Sequence, residues 1–91
     1  MRFIGIDLHH DSMTIAVIDQ ENKINVLKIK FHTPEFSNFI KNLTNNDYIA
    51  VEASTNTFWL YDQINEKVAH CFVVNTWKFL DIFKTNKMIL P

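Results

Sequence analysis

The chain has 91 residues, 47% of them hydrophobic with eight Phe and two Trp, 21% charged, and a formal net charge of −1. That length makes one domain at most, which buries about 60 to 65% of the surface its unfolded form exposes, and the composition is too apolar for a disordered segment. The near-neutral balance excludes a global basic field for nucleic acid, a single cysteine excludes a disulfide framework or a CxxC zinc motif, and no apolar run approaches the ~18 residues of a bilayer span. No basic, apolar leader opens the sequence, so a cytoplasmic location without membrane attachment is the default expectation. There is no internal repeat, linker or low-complexity tract, and residues 1–91 read as one continuous unit.

In chain order, RFIGIDL (2–8) is a short apolar run, and after the polar HHDS the segment MTIAVID resumes with β-branched residues in alternation. The tight connection predicts an antiparallel pair. QENK (20–23) is a second turn, and in INVLKIKF the residues Leu27, Ile29 and Phe31 alternate with Val26, Lys28 and Lys30 as in an edge strand. In TPEFSNFIKNL the period changes to 3.6: Thr33 suits the cap, Pro34 the first helical position, and Phe36, Phe39, Ile40 and Leu43 fall at i, i+3, i+4 and i+7. YIAVEAS then reads as a strand buried on both faces, NTFWLYDQINEKV as a helix with Leu60, Ile64 and Val68 on one side, HCFVVN as another buried strand, and TWKFLDIFK as a third helix capped by Thr76. Cys71, inside HCFVVN, is expected as a small buried hydrophobe.

The order β-β-β-α-β-α-β-α, with right-handed crossovers adding parallel strands after an antiparallel meander, predicts an α/β fold. It is the ribonuclease H-like order: a mixed sheet 3-2-1-4-5 with helices on its faces, and strand one beside YIAVEAS.

That adjacency bears on Asp7. A carboxylate inside an apolar strand is costly unless it is paired, bound to a metal or left at the strand's solvated end. Asp7 shares a strand face with Phe3 and Gly5, and Glu52 shares one with Tyr48 and Ala50. Both acids fall near the carboxyl end of their strands, the edge where open α/β sheets hold ligands. As parallel neighbours they would repel one another, and Mg²⁺ (or Mn²⁺) suits an all-oxygen site of this kind. A solvated strand end is the other reading of Asp7. His9, in the HHD turn, is a further candidate near such a metal or a phosphate, although adjacent turn histidines are commonly just polar. Thr55 and Asn56 precede the second helix and suit capping, with anion contact as the alternative. Phe58, Trp59 and Tyr61 suit the core before an interface or a base-stacking surface.

GIDLHHDSMTIAVID, VEASTNTFWLYDQI and VVNTWKF…KTNK together resemble, over nearly the whole chain and in the right order, the amino-terminal part of the DEDD transposases of bacterial insertion elements. Their catalytic domain is similar to the RuvC Holliday-junction resolvase. The resemblance implies that Asp7 matches the first D and Glu52 the E of the DEDD set, catalytic acids that bind divalent metal for DNA strand cleavage and joining. The last two acids belong to a family segment close to KTDKIDA. Here KTNKMILP puts Asn86 and Ile89 at those positions, and Thr55 replaces the glycine usual after EAT. The carboxy-terminal family domain, with its recombination serine and its contacts to DNA and a guide RNA, is missing from the sequence given. The expectation is therefore an amino-terminal piece of the catalytic domain, incomplete at its carboxy-terminal side and inactive by itself. Two rivals remain: a nucleotide-binding lobe of an actin-like or sugar-kinase ATPase, which also opens with GID but needs Gly and Thr after the Asp, and a non-catalytic remnant that folds and self-associates as a homo-oligomer.

Overall fold

In β1 (Arg2–Leu8), Ile4, Ile6 and Leu8 are buried while Phe3, Gly5 and Asp7 are exposed, the period-two signature of a strand with one covered face. The computed structural model in which this is seen describes residues 1–74. The same alternation organises β2 (Ser12–Ile18), with Met13 and Ile15 fully buried. The three-residue turn His9–Asp11 between them closes through the His9 amide donating to the Ser12 carbonyl at 2.8 Å. At the next turn the Asp19 side chain accepts hydrogen bonds from the amides of Glu21 and Lys23, and Asn22 takes a left-handed conformation (φ 62°). Asp and Asn serve such turns because their short polar side chains bond nearby backbone. The chain then returns as β3 (Ile24–Lys30), antiparallel to β2.

The α1 helix (Pro34–Lys41) starts as its sequence dictates: the Thr33 hydroxyl accepts from the Phe36 amide, and Pro34 occupies the first turn. Phe36 and Leu43 enter the core and Phe39 and Ile40 pack against it. β4 (Asp47–Glu52) runs parallel to β1, and α2 (Thr57–Ile64) leads to β5 (His70–Val74), parallel to β4. The result is a small α/β architecture with a mixed five-stranded sheet in the order β3-β2-β1-β4-β5. Among the described residues, no helix is long and apolar enough to cross a membrane.

One core joins Ile4, Ile6, Met13, Ile15, Ile49 and Val51 of the sheet to Phe36 of α1 and Leu60 and Ile64 of α2. Burying side chains of this size stabilises by about 1.5–3 kcal/mol each. Both described helices therefore lie on one face, not on both as the sequence suggested. This corrects the reading of β4 and β5 as strands buried on both sides. Ala50 is exposed with Tyr48 and Glu52 half-buried, and β5, an edge strand, is exposed except for the half-buried Cys71. The open face carries an aromatic ladder in which Phe3 meets Tyr48 at 5.6 Å, Tyr48 stacks on His70 at 5.7 Å, and His70 on Phe72 at 5.5 Å between ring centroids.

The second helix is shorter than its sequence pattern. It ends at Ile64, and Val68 reaches the core from the following loop. Neither Thr55 nor Asn56 caps it through a side chain; the Thr57 hydroxyl, donating to the Glu52 carbonyl at 2.8 Å and accepting from the Ser54 amide at 2.6 Å, ties the loop to the strand. The third helix expected from Thr76 onward lies outside the described residues, as do Asn86 and Ile89.

Candidate functional site

β1 and β4 are neighbours with Arg2 opposite Asp47, Phe3 opposite Tyr48, and Gly5 opposite Ala50. Continuing that pairing puts Asp7 next to Glu52, each on the open face and each at the carboxyl end of its strand. Both line one shallow cavity of about 340 Å³ with Thr14 and Val74, over a floor of Gly5, Ala16 and Ala50. These three small residues are in register across β2, β1 and β4, which is what opens the trough. Among the described residues, a methyl group added at Gly5 would meet no atom within 4 Å.

Asp7 is thus not a buried charge. Its side chain is 56% exposed, and its Oδ2 lies 3.6 Å from Nε2 of His9, which in turn sits 3.2 Å from the Thr14 hydroxyl. Thr14 faces Asp7 directly across the β1–β2 pair. The arrangement offers two carboxylates from adjacent strands, a hydroxyl and an imidazole around an open trough. Hard oxygen donors of this kind fit a cation that keeps much of its water, as Mg²⁺ and Mn²⁺ do. No group of three or more His, Cys, Asp and Glu residues close enough to hold a metal ion is present among the described residues. Glu52 is engaged in an interaction of its own in the folded chain.

The carboxylate that is truly buried is one the sequence reading passed over. Asp47 is 1% exposed at the start of β4. Arg2 grips it with two parallel bonds, Nε to Oδ1 and Nη2 to Oδ2, both 2.8 Å, and the Thr44 amide donates to Oδ2 at 2.8 Å. Burial pushes the Asp47 carboxyl up, but the Arg2 hydrogen bonds, the Thr44 amide and the guanidinium charge together hold it below the ordinary carboxylate range. The same bonds to Asp47 raise Arg2 against the opposing effect of its burial. Arg2 is the sole arginine of the chain, and its place at the start of the strand paired with Asp47 is the signal that would have found this bridge. Burial also raises the half-buried Cys71 thiol, in keeping with an inert side chain.

The aromatic run of α2 departs from its expected core role: Phe58 is 74% and Trp59 40% exposed. Helical spacing gives the inward face to Leu60 and Ile64, so their neighbours turn outward. Trp59 instead packs across to α1 and the end of β3, stacking on Phe36 at 5.6 Å and meeting Phe31 edge-on at 5.3 Å. Ser12, at the start of β2, is 1% exposed, and its hydroxyl has no hydrogen-bond partner among the described residues.

No family model and no curated protein match this sequence. Among solved structures, Pelota of Archaeoglobus fulgidus is similar at 11% identity with a TM-score of 0.46, over 92% of this chain and 31% of Pelota. The chain thus spans about a third of that protein's length, and a likeness of this extent carries no argument about activity.

Proposed function

We propose that this chain is the amino-terminal part of a ribonuclease H-like (RuvC-like) catalytic domain of the DEDD transposase kind, with Asp7 and Glu52 as two of its metal-binding acids. The observation that carries the reading is the placement of these two residues at the carboxyl ends of adjacent parallel strands, on one face, lining one cavity. The strand order 3-2-1-4-5 and the three motifs that resemble the family support it.

In this reading Asp7 and Glu52 would supply carboxylate oxygens to Mg²⁺ or Mn²⁺. Such a cation, when bound, neutralises phosphate charge and polarises the phosphodiester for strand cleavage and joining. The chain's own residues set the rest. Gly5, Ala16 and Ala50 leave room for a phosphate-bearing backbone beside the acids, and Thr14 holds the His9 imidazole next to Asp7, where it can donate to a phosphate oxygen. Asn86 offers only a neutral oxygen and Ile89 none, so the carboxylates for a second cation are lacking at those positions. The chain by itself is expected to bind one cation weakly and to cleave no DNA. DNA and a guide RNA are partners of the intact family and enter here only through that resemblance.

Isothermal titration with Mn²⁺ and Mg²⁺, beside titration with ATP, tests this. Saturable Mn²⁺ binding that Asp7→Asn abolishes supports the metal half-site. Metal-independent ATP binding favours the actin-like lobe, and absence of both leaves the non-catalytic remnant. Cleavage of branched or linear DNA that disappears in Asp7→Ala would mean that acids elsewhere complete the site.

A further inference from the structure

Three turns meet at the end of the sheet that carries Asp7. They are the His9–Asp11 turn after β1, the Phe31–Thr33 turn after β3, and the loop of Ser54, Thr55 and Asn56 after β4. Between them is a cleft of about 220 Å³ lined by His10, Phe31, His32, Asn56 and Trp59. Its walls are planar groups, and Trp59 is held by its aromatic neighbours. Phe36 stacks on the Trp59 indole at 15° and Phe31 meets it at 72°, yet the residue stays 40% exposed. His32 takes a left-handed backbone conformation (φ 59°), one that favours glycine, and this turn sets its imidazole 5.8 Å from the indole. Asn56 Nδ2 reaches the carbonyls of His9 and His10 at 3.4 and 3.5 Å, joining the start of α2 to the histidine turn.

The histidine turn links this cleft to the candidate metal site. The cleft shares His10 and Asn56 with a second cavity that also takes in His9, and the His9 ring lies 3.6 Å from the Asp7 carboxylate. We propose that the His10–His32–Trp59 cleft receives one unpaired nucleobase of a single-stranded nucleic acid whose backbone passes Asp7 and Glu52. The inference rests on the metal-site reading for that direction of the backbone. The base itself is argued from the lining: imidazole and indole rings offer stacking surface to any base, and with the Asn56 Nδ2 directed to the His9 and His10 carbonyls its Oδ1 can accept a hydrogen bond from a base edge. Among the described residues neither Lys nor Arg lines the cleft, so the described lining does not suit a free phosphate or a lipid headgroup. A base seated there fixes the strand's position along the trough by shape and stacking, with little charge involved, which suits a chain of net charge −1.

The test uses the full chain carrying Trp77→Phe, so that emission comes from Trp59 alone. It is titrated at low salt with an oligothymidylate, the matching oligouridylate and an abasic oligodeoxyribose phosphate of equal length, with Mn²⁺ affinity measured in parallel. Quenching by the two base-bearing oligomers and not by the abasic one is expected, with a DNA or RNA preference read from their ratio. His10→Ala and His32→Gly should each weaken it about tenfold while leaving Mn²⁺ affinity unchanged; the second variant also relieves the left-handed residue and keeps the fold. Equal quenching by the abasic oligomer, unchanged binding in both variants, or stronger quenching by a tyrosine-containing peptide would overturn the base cleft even where Mn²⁺ binds. Base-dependent quenching without any Mn²⁺ binding would keep the cleft and remove the metal site.

Discussion

The two ends of the sheet handle carboxylates in opposite ways. Where β1 and β4 begin, Asp47 is enclosed, gripped by Arg2 and bonded by a backbone amide. Where the same strands finish, Asp7 is more than half exposed and Glu52 half-buried beside an open trough. One pair closes and the other stays accessible, and the first determines the second. The Arg2–Asp47 bridge sets the register of the parallel pair, and because both strands advance at the same rise per residue, the acids five positions further along come side by side. A slip of one residue would carry Glu52 to the opposite face from Asp7.

Breaking the closed end should have the largest effect. Arg2→Ala leaves the buried Asp47 carboxylate without its cation and is expected to cost about 3 kcal/mol, read by urea denaturation. It should weaken Mn²⁺ binding as well if the register argument holds. The pH dependence sharpens the point. The native Asp47 carboxyl is held below its unfolded value, so the unfolded chain takes up a proton first as pH falls below about 4. The stability this group contributes is present above that range and is lost as pH drops through the lowered native value. Denaturation curves between pH 5 and pH 2, as rough bounds, should be flatter in Asp47→Asn than in the parent chain.

At the open end the expected losses are of binding. Asp7→Asn should lower Mn²⁺ affinity at least about tenfold, or ~1.4 kcal/mol, with stability in metal-free buffer changed by no more than about 0.5 kcal/mol. A large metal-independent loss in that variant would make Asp7 a structural residue like Asp47 and erase the contrast. Gly5→Ala, midway between the ends, should have the smallest effect, within about 0.5 kcal/mol in a thermal melt, because its methyl group enters open space.

The elements of the meander and the first helix were legible because their signals are local, and the strand order followed from the element sequence through the handedness of crossover connections. Alternation, the QENK turn and the Thr33–Pro34 start each act within a few residues. The exposed face of β4 and β5 was not, since YIAVE and HCFVV carry apolar residues on both sides and periodicity does not separate a doubly covered strand from one with an apolar open face. The face shared by Asp7 and Glu52 followed from period two. The environment of Asp7 did not, because exposure depends on which face the helices cover. Asp47 and the Trp59 cleft were missed for another reason: each is assembled from segments far apart in sequence, Arg2 with residues 42–47 and His10 with residues 31–59.

The central position of β1 also bears on the order in which the molecule folds. Its pairing with β2 closes a short local loop, whereas pairing with β4 must bring together residues 45 apart. The longer closure costs about 2 kcal/mol more in chain entropy, a cost met before the long-range contacts give their return. The β1-β2-β3 meander is thus the natural early structure, and it contains Asp7 without its companion. The candidate metal centre comes into being only when β4 docks, so a bound cation would act on the folding equilibrium as a clasp on the last long-range pairing, slowing its opening and leaving the meander untouched.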